Sequence, residues 1–278
     1  MKKTCVHLLA LILAMVMLLS NANVLLQAQA VGPRKQTNAE PTETEEVEDE
    51  EAWLDNVLAE EVLEAFSIKL EKIYSVTFLD NLDDAPKRPW NLGEGASPRV
   101  KGWIEWNGGM AEIYIAAEGG INGEKSSRSL FSGCKNLEIV QFNGAYHTDK
   151  AETLEKMFYN CGKLEEVDVE TLDTSSATNM SEMFRGCASL EEINVENFNT
   201  ENVKNMYCMF STCTSVELLD LSNFDTSKVT NMEGMFRWCE SLEYLDLTGW
   251  NMKRVKTYSN FMDPGISYDG KPWKNLFK

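Results

Sequence analysis

The chain has 278 residues, 44 of them acidic and 26 basic, and a formal net charge of −18. That balance excludes a basic nucleic-acid-binding surface. Apolar runs confined to the first thirty residues exclude a multipass membrane protein, and seven cysteines at this length are too few for a small disulfide scaffold.

Residues 1–30 carry Lys2 and Lys3, an apolar run from Leu8 to Leu19, and the small-x-small triplet Ala28-Gln29-Ala30. This pattern predicts a cleaved secretory signal peptide. Export is expected to place the remaining chain outside the cytoplasm, secreted or at the cell surface, with six cysteines and one histidine, His147. No transmembrane segment is expected in the mature chain. Residues 31–51 are rich in Glu and nearly devoid of apolar side chains, so they are expected to be a disordered acidic spacer; the alternative is a cation-binding tail.

Residues 52–126 are expected to form an N-terminal helix and a β-containing cap. Trp53, Val57, Leu58, Val62, Ala65, Phe66, Ile68 and Leu70 follow helical spacing. The segments 73–79, 100–106 and 112–116 have strand composition, and Asn107-Gly108-Gly109 between the last two signals a hairpin.

The repeats then set the expectation for the fold. Cys134, Cys161, Cys187, Cys213 and Cys239 recur every 26 or 27 residues. Around them stands N-M-x-x-M-F-x-x-C-x-x-L-E, with Met180, Met183, Phe184 and Cys187, then Met206, Met209, Phe210 and Cys213, then Met232, Met235, Phe236 and Cys239. This i, i+3, i+4, i+7 stripe predicts a two-turn helix, capped by Thr178 or Asn179, and a short strand around Ile193 follows it. The expected fold is an α/β repeat, a leucine-rich-repeat-like right-handed solenoid of strand–turn–short-helix units over residues 127–265, closed by a C-terminal cap over 266–278. Where a leucine-rich repeat places Asn or Cys, the chain has Leu172, Phe198, Phe224 and Trp250, so apolar stacking is expected in place of a side-chain-to-backbone ladder.

The register of methionine pairs, Phe and Cys resembles the BspA-type leucine-rich repeat, the 26-residue bacterial surface protein repeat of DUF285. The segment holding GWIEW, EIYIAAEGG and SSRSLFSGC resembles the cap that precedes such repeats. The resemblance implies a surface protein, in some members an adhesin.

Several groups are candidates for function. The outward strand positions predict an interaction face made of Glu165, Glu166 and Asp168; Glu191, Glu192 and Asn194; Glu217, Leu218 and Asp220; and Glu243, Tyr244 and Asp246. Stacked like charges repel, so the face is expected to meet a cationic surface or Ca²⁺, or else only to solubilise the protein. Trp238 is a further interface candidate, with packing against a neighbouring unit as its alternative. The ladder cysteines are expected to be buried thiols, and Cys208, off the ladder on the expected exposed helix face, is the candidate for a reactive thiol or a bridge. No C-x-x-C pair, phosphate loop or nucleophile elbow is present. The chain is therefore expected to be non-enzymatic, without cofactor or metal, and to bind a protein or surface glycoconjugate of unknown identity; the alternative is a structural cell-envelope protein without a specific host ligand.

Overall fold

The computed structural model describes residues 53–54, 68–92, 100–123, 125–263, 267–268, 271–272 and 276. The leader-like residues 1–30, the acidic stretch 31–51 and most of the expected helix after Trp53 lie outside the described residues. Of that helix, Trp53–Leu54 is a strand, β1, and Leu70–Lys72 is a single 3₁₀ turn.

The N-terminal part is built on strands. β2 (Ile73–Leu79), β4 (Lys101–Asn107) and β5 (Met110–Ala116) fall where β-rich composition places them. β4 and β5 form a hairpin closed by Gly108 and Gly109, both with left-handed backbone, as the tight two-residue loop requires. With β3 (Trp90–Asn91), β7 (Ile139–Gln141) and β9 (Glu166–Val167) they make a six-stranded mixed sheet in the order β3-β4-β5-β2-β7-β9. In a second, three-stranded sheet β6 (Ile121–Gly123) pairs with β1 on one side and β8 (Tyr146–His147) on the other. Two-stranded sheets follow from β10 (Leu218–Asp220) with β11 (Tyr244–Asp246), and from β12 (Ser267–Tyr268) with β13 (Lys271–Pro272).

The expected α/β solenoid of strand–turn–helix units is overturned. Among the described residues there is no α-helix, and the largest sheet is mixed. The backbone explains why. Each segment expected to be helical holds two left-handed residues four apart: Lys156 and Asn160, Glu182 and Gly186, Cys208 and Thr212, Gly234 and Trp238. An α-helix of L-residues does not accommodate them. Alternate amides also point away from their own segment. Met180, Glu182, Phe184 and Gly186 donate to the carbonyls of Asn205, Tyr207, Met209 and Ser211 in the next repeat, at 2.8–3.0 Å. The intervening Met183, Arg185 and Cys187 close three-residue turns onto Met180, Glu182 and Phe184. A two-turn helix is marginal by itself, and here the neighbouring repeat takes half its donors. Asn179 caps no helix; its Oδ1 accepts from the Ser181 amide in a tight turn, 3.1 Å.

The buried stripe nevertheless forms the core. Met180, Met183, Phe184, Cys187 and their counterparts in the next two repeats are each 0% exposed. Phe131, Phe158, Phe184, Phe210 and Phe236 stack in one column with centroids 5.3–5.8 Å apart and rings within 10° of parallel. Phe198, Phe224 and Trp250 make a second column at 6.4–6.5 Å.

A side-chain-to-backbone ladder also exists, supplied by other residues than the leucine-rich pattern uses. The thiols of Cys161, Cys187, Cys213 and Cys239 donate to the carbonyls of Phe131, Phe158, Phe184 and Phe210 at 3.0–3.3 Å. Buried Thr148, Thr174, Thr200 and Thr226 donate to the carbonyls of Asp173, Asn199, Asp225 and Asn251 at 2.8–3.2 Å. Thr174 and Thr226 also accept from the amides of Asn199 and Asn251. Buried polar groups are thereby satisfied at every step.

Candidate interaction face

The outward strand positions come together on one side of the molecule. β7 pairs in parallel with β9, placing Glu166 beside Ile139; Glu192 bridges to Leu218; β10 pairs with β11, placing Leu218 beside Tyr244 and Asp220 beside Asp246. Between these positions Val140, Ile193, Leu219 and Leu245 are buried. The strand period of two thus separates the outer face from the core. Adjacent rungs lie about 4.8 Å apart; Glu165, Glu191, Glu217 and Glu243 form one acidic column, and the column of Glu166 and Glu192 continues into Leu218 and Tyr244.

The acids are used in two ways. In the inner column, the Asp168 carboxylate accepts from the amides of Phe142 and Asn143 in the preceding repeat, at 2.6 and 2.7 Å. Burial raises its pKa, against the pull of those two bonds and with the charge of Glu170 adding to the rise. Asn194, Asp220 and Asp246 accept from the amides of Glu196, Ser222 and Thr248, two residues on. Hydrogen bonding from Thr248 holds Asp246 below the ordinary carboxylate value. Asp168 thus ties two repeats together, while Asn194, Asp220 and Asp246 close local turns. In the outer columns, Glu165, Glu166, Glu191, Glu192, Glu217 and Glu243 are exposed, and none makes an ion pair among the described residues. Lys163 reaches Glu138 at 3.8 Å on the same side.

Leu218 and Tyr244 stand within this acidic field at 51% and 52% exposure. Beside Leu218 lies an open cleft of about 250 Å³, walled by Glu192, Asn194 and Glu196 on one side and Asp220 and Asn223 on the other. Among the described residues no three His, Cys, Asp or Glu side chains converge as a metal site requires.

The structure places the remaining candidates elsewhere. Trp238 is on the turn side, in the column of Asn160, Gly186 and Thr212, with left-handed backbone. It is 43% exposed, its amide donates to Asp263 at 2.6 Å, and the Arg237 guanidinium lies 3.9 Å from its ring centre. Cys208 is not the exposed thiol expected of a helix face; without the helix it turns inward to 7% exposure. Burial pushes its pKa up, against a hydrogen bond from Tyr207. His147 meets Asn122 at 3.3 Å, and all six described cysteines are buried.

Three features escape sequence reading: the threonine ladder, the left-handed columns, and a charged strip on the turn side. In that strip Lys156 and Arg185 hold Glu182 at 3.2 and 2.6 Å, and Arg128 holds Glu155 at 3.0 Å. The Asp/Asn-Thr pair recurring with the 26-residue period was the available signal for the threonines.

The fold and the face define a repeat protein with one uncovered strand side. The chain belongs to the family described as "Mycoplasma protein of unknown function, DUF285", whose match covers residues 125–218 and 218–271, more than half its length. No curated protein and no solved structure matches the chain. No helix among the described residues is long and apolar enough to cross a membrane.

Proposed function

We propose that the chain is an exported, non-enzymatic binding protein that acts at the bacterial surface or after secretion and docks a protein or surface glycoconjugate on its strand face. The observation that carries this reading is the register pairing of Leu218 with Tyr244, two large apolar side chains left about half exposed on an otherwise charged sheet side. Large apolar groups ringed by polar ones are how interfaces concentrate binding energy. The signal-like first thirty residues and the resemblance of the repeats to BspA-type surface proteins support the location.

The test is capture of the purified chain on immobilised matrix proteins, mucin and bacterial envelopes, at low and high salt. Saturable capture that falls about tenfold in a Leu218→Thr/Tyr244→Ser double variant, with unfolding and circular dichroism unchanged, is the expected result. A folded protein that binds none of these surfaces points to the structural envelope role instead.

A further inference from the structure

We infer that the strand face takes a basic protein segment, seating an arginine or lysine side chain in the cleft beside Leu218 and laying a neighbouring apolar side chain over Leu218 and Tyr244. This rests on the strand-face reading and names its partner.

The cleft is a parting of the sheet. Further along, the Leu221 amide donates to the Asp246 carbonyl at 3.0 Å; among the described residues no such bond joins Val195 to Asp220 one repeat earlier. The gap is held by Asn223, whose side-chain amide donates to the carbonyls of Val195, Glu196 and Phe198 at 3.0–3.1 Å. One wall is thus fixed before any partner arrives, which lowers the ordering cost of binding. At about 250 Å³ the opening has the scale of one long side chain.

The chemistry of the walls selects that side chain. Glu192 and Glu196 are exposed, without an ion pair among the described residues, and Asp220, also exposed, commits one carboxylate oxygen to the Ser222 amide. A guanidinium or ammonium group entering there meets up to three carboxylates and relieves their mutual repulsion. Leu218 at the rim, with Tyr244 one rung on, supplies apolar area that a charge-only partner leaves unused. A segment with both groups satisfies the whole surface. A second copy of this chain, with its large negative charge, is disfavoured.

The experiment measures binding of three labelled short peptides to the purified chain by fluorescence anisotropy: alternating arginine and leucine, alternating arginine and glycine, and alternating glutamate and leucine. Saturable binding of the arginine–leucine peptide is expected, weakened about tenfold by Glu192→Gln/Glu196→Gln and, separately, by Leu218→Thr. Glu201→Gln, an exposed acid outside the strand face, serves as the charge control and is expected to change it by less than about twofold. Equal binding of the arginine–glycine peptide, or equal loss in every acid variant, reduces the face to non-specific attraction and overturns the inference. Self-association abolished by Leu218→Thr overturns it in favour of a second copy. The same variants are run on the surfaces named under the proposed function. Capture there that depends on Leu218, with no peptide binding, sinks the basic-segment inference alone; absence of both sinks the proposed function as well.

Discussion

Trp238 occupies left-handed backbone at φ 60°, where an equivalent repeat places Gly186 at φ 80°. Bulky residues reach this region only at a cost of about 1–3 kcal/mol. Its ring leans on Arg237 and stays partly in water, so Trp238→Gly is expected to leave stability within about 1 kcal/mol of the parent, by urea unfolding. Gly186→Ala is expected to destabilise the fold. Its new Cβ would lie 2.5 Å from Asn160 Oδ1, on backbone that resists any side chain, and a loss of about 2 kcal/mol follows. The thiols make a second residue-scale prediction. Burial raises Cys187 and Cys213 well above 9.0 and pushes Cys239 up to about 12. A pKa raised in the folded state favours the protonated form there, so the stability it contributes is complete below the unfolded thiol value. It is lost as pH climbs from about 9 toward 12. Iodoacetamide at pH 8 should label the native chain slowly at every described cysteine, Cys208 included, and rapidly after denaturation; fast native labelling of Cys208 would refute its inward placement.

At the scale of the element, each repeat is a chain of turns held by its neighbour. The stripe of Met, Phe and Cys was legible because burial follows spacing, whatever the backbone does between the buried positions. The helix drawn through that stripe was not there. Helical spacing in an eight-residue window is equally met by successive three-residue turns, and left-handed residues such as Lys156, Glu182 and Cys208 carry no side-chain signature of that backbone. The threonine ladder suggests the sharpest element-scale test. Thr174→Val keeps the shape but leaves the Asn199 amide and carbonyl without the hydroxyl they share. A cost of about 2 kcal/mol is expected, measured by denaturant unfolding. Phe210→Ala, in the middle of the stacked column, should cost about 3–5 kcal/mol, more than the same change at the partly wet Trp250.

For the whole molecule, acid columns on one side mean that stability depends on ionic strength. Glu191, Glu217 and Glu243 follow one another at adjacent rungs, the amides of Glu217 and Glu243 donating to the carbonyls of Glu191 and Glu217 at 3.5 and 2.9 Å. Like charges this close are screened by salt over about 8–10 Å at physiological strength. The urea midpoint is therefore expected to rise as sodium chloride increases from about 20 mM to about 500 mM, and to rise less in a Glu191→Gln/Glu217→Gln variant. A midpoint insensitive to salt would show the columns already compensated.

The sequence by itself determined the 26-residue period, the identity of the buried stripe, the hairpin at Gly108–Gly109 and the outward position of the acids, because period and polarity decide which side of a repeating chain meets water. The tertiary structure alone decided that alternate amides leave their own repeat, that Asp168 is occupied with amides of the preceding repeat and Asp220 and Asp246 with turns, that Cys208 faces inward, and that the sheet parts beside Leu218. Each of these depends on which backbone donor finds which acceptor in a neighbouring repeat, a relation between segments 26 residues apart that no local pattern of residues encodes.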